Sequence, residues 1–297
     1  MTSNLSRVFL VSLILVIGVF PYSARGAKKL PALGVYVSSD KLVQADTLLV
    51  AVKNRQDAVT GNLGSVTLHF FRSENNKDWV ALVGIPVDKK PGNYILSITA
   101  KDKAPFKKDI TVSKRNFPIT SFIVTPPLLK KGYTVKKIVT TIQHKENTAL
   151  NKVLGRLTPI VYFTKPFSYP LDHITVVGTF GDIRATKIYK IQHLGVDLKA
   201  PLHTPVYAVN DGTVVFEEKM PDYGNTLIIN HGLGIYSLYL HLSEFKAKKG
   251  HLVKQAQLVG LSGDTGYVMG PHLHFSIKMR GAALDPLKFI KATKKNW

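Results

Sequence analysis

The sequence predicts an all-β protein built mainly from antiparallel sheets, and three observations lead to this fold class. In both halves of the 297-residue chain, short runs rich in Val, Ile, Tyr, Phe and Thr alternate with Gly, Pro, Asn and Asp, which is the pattern of strands joined by tight turns. Helical periodicity is scarce beyond residue 180. Hydrophobic residues make up 45% of the chain, which is enough for real cores in a chain of one to three domains.

An export signal is predicted at residues 1–26. Arg7 precedes an apolar run over residues 8–20, and the small-residue site Ala24-Arg25-Gly26 follows, which is the order of a secretory signal cleaved after Gly26. The run is shorter than the roughly 20 apolar residues that span a bilayer, and an uncleaved signal that serves as a membrane anchor is the alternative. The chain contains no Cys, so disulfides and cysteine lipidation play no part.

Residues 27–115 are predicted to form an immunoglobulin-like β-sandwich, because short strands recur between turn residues. Pro91-Gly92-Asn93 has the chemistry of a turn that leads into a strand at Tyr94, and it resembles the P-G-x-Y turn of many immunoglobulin-like bacterial domains. We interpret this module as a spacer or as a binding module. The predicted strands cover residues 35–37, 48–52, 66–71, 80–83, 94–99 and 110–112.

Residues 116–165 are predicted to be a linker with a short helix. Pro126-Pro127 and Lys130-Lys131-Gly132 are typical of a linker, and residues 135–157 place apolar side chains at helical intervals. The run H-K-E-N-T at residues 144–148 is not an H-E-x-x-H motif, which excludes metalloprotease chemistry of that type.

Residues 166–297 are predicted to form a mainly antiparallel sheet folded around a groove, because strands and tight turns dominate this part of the chain. Glycines flank the runs that carry histidines, and glycine lets a backbone approach a peptide substrate closely. The predicted strands cover residues 206–209, 212–216, 226–230, 236–241, 257–261 and 274–279.

A candidate metal site comes from five residues within about 80 positions: His193, Asp197, His241, His272 and His274. His272 and His274 are two residues apart in a predicted strand, so both imidazoles project from one face. His193 and Asp197 are four residues apart, a spacing that also places them on a common side. Three such ligands with one open position are the usual plan of a catalytic zinc site.

Three motifs resemble the signatures of the lysostaphin-type (LytM-type) zinc endopeptidases, which cut peptide cross-links in peptidoglycan: H-L-G-V-D at residues 193–197, Y-L-H at 239–241 and G-P-H-L-H-F at 270–275. The resemblance extends from about Phe167 to Phe289. It implies a lysostaphin-type peptidase domain with one Zn²⁺ per chain, held by His193, Asp197 and His274. It further implies that His241 and His272 line the reaction centre.

The resemblance implies hydrolysis by a metal-activated water, assisted by the two histidines of the reaction centre. No glutamate lies in the motifs, so a histidine must take the proton of the water. By resemblance, one of His241 and His272 does so and the other stabilises the tetrahedral intermediate, and the sequence leaves both assignments open. Arg184, Asn225 and Tyr239 are predicted to contact the substrate. The alternatives are that Arg184 holds Asp197, that Asn225 caps its turn and that Tyr239 belongs to the core. Tyr239 is included because a strand would place it on the same face as His241.

The formal charge of +21 favours a polyanionic partner. We expect peptidoglycan, with anionic wall polymers as a further partner, no nucleic acid and no stable protein partner, in the periplasm or at the cell wall. A catalytically silent protein of the same fold, which binds the wall or activates other hydrolases, is the main alternative.

In some relatives a segment covers the groove, and residues 116–165 are either such a segment or a connector.

Two positions depart from the family pattern, because His203 and Ala256 stand where glycine is usual. We expect His203 to be a loop residue. His231, which lies outside the three motifs, is expected at the surface or in a turn.

Overall fold

The computed structural model describes residues 30–74 and 76–294, so the predicted signal at residues 1–26 lies outside the described residues. The predicted fold class is confirmed, because most strands pair antiparallel. Among the helices that the structure describes, none is both long and apolar enough to cross a bilayer.

The N-terminal part forms two sheets. Its strands are β1 (Val35–Val37), β2 (Lys41–Val43), β3 (Thr47–Val52), β4 (Val59–Leu63), β5 (Val66–Thr67), β6 (Phe71–Arg72), β7 (Trp79–Gly84), β8 (Gly92–Ala100) and β9 (Phe106–Ser113). One sheet has the order β1-β3-β7-β6 and the other β2-β9-β8-β4-β5. The predicted strand over residues 66–71 is split into β5 and β6. The immunoglobulin-like likeness and the domain boundaries stay predictions.

Strand β3 is buried along its whole length because each of its faces contacts a different core. Leu48, Val50 and Val52 pack toward the second sheet of the N-terminal part. Leu49 and Ala51 point the other way, since side chains alternate along a strand, and they join the core of the C-terminal part. The salt bridge between Arg115 and Asp285, with Nη2 and Oδ2 2.9 Å apart, also crosses this contact.

The middle segment begins with β10 (Ile119–Ser121) and α1 (Pro126–Lys130) and continues in one helical run. This run consists of α2 (Val135–Thr140), a π-helical turn (Thr141–Glu146) and α3 (Asn147–Leu154). Thr134 caps its start, because the Thr134 side chain accepts the N–H of Lys137 at 3.2 Å. The short helix predicted in this segment is therefore present.

The C-terminal part is centred on a sheet with the order β11-β14-β22-β18-β17-β16-β20, with β23 paired to β22. Smaller sheets have the orders β10-β12-β13 and β15-β21-β19, and a helix, α4 (Pro286–Thr293), packs near β3 and β22. The sequence patterns did not predict α4, which begins after the capping residue Asp285. The strands are β11 (Val176–Gly178), β12 (Ile183–Ala185), β13 (Lys190–Gln192), β14 (Val196–Lys199), β15 (Pro205–Tyr207), β16 (Gly212–Met220), β17 (Gly224–Gly232), β18 (Ile235–Leu242), β19 (Glu244–Phe245), β20 (Leu252–Val253), β21 (Leu258–Leu261), β22 (His272–Met279) and β23 (Ala282–Leu284).

Candidate metal centre

The pairing of β14 with β22 assembles the centre of the site. In this antiparallel ladder Asp197 lies opposite His274, and the next same-face pair is Lys199 opposite His272. Directly opposed side chains lie on one face of the sheet. His193 reaches this face from the turn after β13, where a Cβ at Gly195 would lie 2.4 Å from His274 Nε2. Only glycine fits there, because the turn passes so close to the imidazole.

Three side-chain atoms converge on one point. His193 Nε2 lies 3.0 Å from Asp197 Oδ1 and 3.0 Å from His274 Nδ1, and Asp197 Oδ1 lies 2.9 Å from His274 Nδ1. These residues are also the group that satisfies the geometry of a metal site, with one ligand atom from each within 4.8 Å of the others. The structure therefore brings the three predicted metal ligands together.

Hydrogen bonds to the outer nitrogens of the two imidazoles indicate their tautomers. His193 Nδ1 lies 2.8 Å from the carbonyl oxygen of Thr179, to which it can only donate. His274 Nε2 lies 3.0 Å from Ser276 Oγ, which itself donates to the Leu194 carbonyl at 3.0 Å. With both outer nitrogens protonated, lone pairs on His193 Nε2 and His274 Nδ1 face the carboxylate. Such a donor set fits a cation, and these outer partners orient the ligands.

The pKa shifts of Asp197 and His274 support the same interpretation, whereas burial would lower the pKa of His193 but the adjacent Asp197 raises it. Burial by itself would raise the pKa of Asp197, but the close contacts of its carboxylate with the His193 and His274 imidazoles hold that pKa well below its usual range. Burial lowers the pKa of His274 to about 4, although the contact with the Asp197 carboxylate acts in the opposite direction. At neutral pH the site thus contains an ionised carboxylate and a neutral His274, the states that bind a metal.

His241 and His272 lie beside this group, with ring centroids 5.0 Å apart. His241 Nδ1 donates to the Thr265 carbonyl and His272 Nδ1 to the Gly270 carbonyl, both at 2.9 Å. Their Nε2 atoms therefore carry lone pairs, and His272 Nε2 is 3.6 Å from Asp197 Oδ1. Burial, followed by the nearby His274 and His272, lowers the pKa of His241 to about 3.

The backbone at His241 is unusual for a residue with a side chain. Its φ is +62°, a left-handed conformation that costs a non-glycine residue roughly 1–2 kcal/mol. Such strain is found at functional sites, where the surrounding structure maintains it. It also breaks the strand alternation between residues 239 and 241.

The broken alternation corrects one predicted substrate contact. Tyr239 is 0% exposed, and its hydroxyl accepts from the Val209 N–H and from Ser237 Oγ, both at 3.0 Å. Tyr239 therefore belongs to the core and does not border the groove.

The other two predicted substrate residues lie near the site. Arg184, on β12, is partly exposed, and its charge opposes protonation of His193. Asn225, on β17, donates its backbone N–H to Thr265 Oγ1 at 2.9 Å and donates from Nδ2 to the Ser243 carbonyl at 3.4 Å. Both remain predicted substrate contacts.

The sequence patterns missed four groups that hold the histidines: the Thr179, Thr265 and Gly270 carbonyls and the Ser276 hydroxyl. Ser276 could have been found, because it is two residues beyond His274 on the same strand face. The carbonyls leave no trace in the residue type, so no signal was available for them.

A β-sheet domain that presents two imidazoles and one carboxylate to a cation, beside two further imidazoles, is of the metallopeptidase class. Residues 191–286 match the model of peptidase family M23. The match covers less than half of the chain, and it agrees with the resemblance of the motifs to the LytM/lysostaphin type.

Two curated relatives and one solved structure show how far this similarity extends. Peptidoglycan DD-endopeptidase ShyA of Vibrio cholerae is 45% identical over 96 residues, 32% of this chain and 22% of that protein. DD-carboxypeptidase/endopeptidase Mpg of Neisseria meningitidis is 39% identical over 139 residues, 46% of this chain and 29% of that protein. The matches thus span less than a third of either relative's length.

The solved structure is a protein from Pseudomonas aeruginosa assigned to peptidase M23. It is 24% identical and covers 82% of this chain and 93% of its own, with a TM-score of 0.55. This likeness shows a shared fold.

Proposed function

We propose that the protein is a zinc-dependent endopeptidase that hydrolyses peptide cross-links of bacterial peptidoglycan. The observation that carries the proposal is the convergence of lone pairs from His193, Asp197 and His274 beside two histidines whose Nε2 atoms are free to accept a proton. The match to family M23 and the names of the relatives supply the substrate class.

His193, Asp197 and His274 would hold one zinc ion. When bound, zinc supplies a water of lowered pKa and positive charge for a developing oxyanion. The fixed tautomers of His241 and His272 direct Nε2 of each ring to the reacting atoms. In the proposed reaction one ring takes the proton of the water and passes it to the nitrogen of the peptide bond that breaks. The other ring takes a proton from the solvent and donates a hydrogen bond to the tetrahedral intermediate.

Export to the periplasm or the cell wall is part of the proposal, and it rests on the predicted signal at residues 1–26. The formal charge of +21 would assist binding to anionic wall polymer, a contact that should weaken with salt.

The experiment is hydrolysis of purified peptidoglycan by the protein without residues 1–26, with and without a chelator, followed by identification of the released fragments by mass. Chelator-sensitive release of fragments cut at a cross-link is the expected result, and the masses identify the bond. Zinc retention without any release would contradict the endopeptidase and favour a silent binding protein.

A further inference from the structure

The helical run of residues 135–154 packs against the strands and loops that carry His241. Two clusters of side chains form the contact, which buries apolar residues from both sides. One joins α3 to strands β17 and β18, and the other joins α2 and the π-helical turn to the loops around Tyr223 and Tyr267. The helical members are Ile138, Val139, Ile142, Leu150 and Leu154.

Glu146 ends the π-helical turn and points into this contact. Its side chain is buried, with 1% of the residue exposed. Glu146 Oε1 accepts the backbone N–H of Asp222 at 2.7 Å and that of Tyr223 at 3.2 Å. A carboxylate that accepts two successive backbone N–H groups fixes the orientation of the backbone that carries them.

The backbone that Glu146 holds is hydrogen-bonded directly to residues of the reaction centre. The Tyr223 carbonyl accepts the backbone N–H of His241 at 3.1 Å, and the Asp222 carbonyl accepts the N–H of Tyr267 at 2.8 Å. The loop that contains Tyr267 also provides the Thr265 carbonyl, to which His241 Nδ1 donates. Both the backbone and the imidazole of His241 are thus tied to elements that Glu146 holds.

Two glycines show how closely the turn of residues 222–224 and the loop of residues 265–267 approach each other. A Cβ at Gly224, where φ is +64°, would lie 2.3 Å from the Thr265 carbonyl oxygen. A Cβ at Gly266, where φ is +83°, would lie 2.4 Å from the Asp222 carbonyl oxygen. Because the two segments are packed backbone to backbone, a displacement of one is transmitted to the other.

We propose that Glu146 is a positioning residue of the reaction centre, which fixes the backbone at Asp222 and Tyr223 and thereby holds His241 in place. The proposal rests on the proposed function, in which His241 acts on the substrate. The helical run would then contribute to catalysis by positioning His241, although Glu146 lies outside residues 191–286, the part that matches the family model.

The protonation of a second carboxyl group couples this arrangement to pH. Asp222 is 3% exposed, and neither its Oδ2 nor Glu146 Oε2 has a hydrogen-bond partner among the described residues. Burial and the charge of Glu146 raise the pKa of Asp222 to about 7, and burial raises the pKa of Glu146. Below pH 7 at least one carboxyl is therefore neutral, whereas above it both ionise and repel each other.

Few other groups face the pair. Lys137, on α2, lowers the pKa of Asp222 and partly offsets the repulsion. Tyr133, Tyr223 and Tyr267 face it with phenols that stay neutral, since burial raises the pKa of each. We therefore expect the hold on His241 to loosen as the pH rises through about 7.

The first test compares Glu146→Ala and Glu146→Gln, with Lys145→Gln as a matched control, because Lys145 is the exposed neighbour and its change also removes one charge. We expect Glu146→Ala to lower kcat about 10–100-fold, the cost of a misplaced catalytic group, with KM within about twofold and zinc content unchanged. Glu146→Gln should restore most of kcat, since its amide oxygen accepts the same two N–H groups, and should remove the loss of activity above pH 7. A wild-type kcat in Glu146→Ala would overturn the proposal.

A second readout does not depend on hydrolysis. The Nδ1–H resonance of His241 in an NMR spectrum reports its hydrogen bond to the Thr265 carbonyl. We expect its exchange with water to be at least about tenfold faster in Glu146→Ala than in the wild type and the Lys145→Gln control. Unchanged exchange in folded Glu146→Ala overturns the proposal, whether or not the protein cleaves peptidoglycan. If Glu146→Ala does not fold, an unaltered pH dependence of exchange in Glu146→Gln overturns it instead.

Discussion

Asp197 and His274 lie opposite each other in the ladder between β14 and β22, and Asp197 Oδ1 is 2.9 Å from His274 Nδ1. The contact is set by strand register, because a slip of β14 by one residue would turn Asp197 to the face of the sheet opposite His274. The pairing of strands in the central sheet thus determines the geometry of the candidate metal centre.

Replacing either residue of this pair should remove the metal and the activity together. Asp197→Ala and His274→Ala each delete one of the three donor atoms, so we expect no zinc after dialysis and no release of peptide from peptidoglycan. Metal analysis and the hydrolysis assay measure the two effects, and His173→Ala, an exposed histidine, should change neither. Full activity of a metal-free Asp197→Ala protein would contradict the site.

Ser276→Ala should weaken zinc binding without removing a ligand. The hydroxyl accepts from His274 Nε2 and keeps Nδ1 directed at Asp197. Loss of such an outer partner typically costs about 10–100-fold in metal affinity. Competition with a chromogenic chelator measures the affinity, and a value equal to that of the wild type would show that Ser276 does not orient His274.

His241→Ala should retain zinc and lose most of the rate. A general acid or base contributes about 10²–10⁴-fold, and the nearest bonds of His241 are to Thr265 and Tyr223 rather than to the metal ligands. Steady-state kinetics on a cross-linked peptide, together with metal analysis, separate the two effects. Loss of zinc from this variant would make His241 a ligand.

Ala256→Gly should stabilise the protein. Ala256 is exposed and has a φ of +64°, which costs a non-glycine residue roughly 1–2 kcal/mol, partly offset by the greater chain entropy of glycine. We expect the free energy of unfolding to rise by roughly 0.5–1 kcal/mol in urea denaturation. The same change at Ala149, inside α3, should lower it by about 1 kcal/mol, so a loss at both positions would contradict the argument.

His231 should make stability fall in acid. Burial lowers the pKa of His231 to about 4, below the unfolded value of about 6.5, so the unfolded chain binds more protons between these values. The contribution of neutral His231 to the free energy of unfolding, about 3 kcal/mol, is fully present above about pH 6.5 and is lost as the pH falls toward 4. Urea denaturation at pH 7 and pH 4.5 should show a smaller difference for His231→Gln than for the wild type.

Residue patterns predicted the fold class and a set of five candidate site residues, because both depend largely on strand periodicity, whereas the choice of His193, Asp197 and His274 as ligands came from the family resemblance. The pair of His272 and His274 could be placed on one face from their separation alone, and β14 supplies Asp197 to the same face. Tyr239 and His241 have the same separation, yet the left-handed backbone at His241 turns them apart. A local departure from strand geometry at a residue other than glycine is not encoded in spacing.

Burial of polar residues was equally hard to predict. His231 was expected at the surface or in a turn, but it is 0% exposed and bonds to the Asp211 carbonyl and to Ser237 Oγ, both at 2.8 Å. Those partners are 20 and 6 residues away in sequence. His203 and Ala256, which stand where glycine is usual, both have the left-handed backbone conformation that glycine favours. The fold therefore tolerates the backbone strain at these two residues.

Strand β3 gives the N-terminal module a fixed relation to the peptidase domain. A strand that contributes one face to each of two cores cannot rotate without opening both of them, and Arg115 and Asp285 pin the same joint. Anything that binds the outer sheet of the module would therefore lie at a fixed distance from His193, Asp197 and His274.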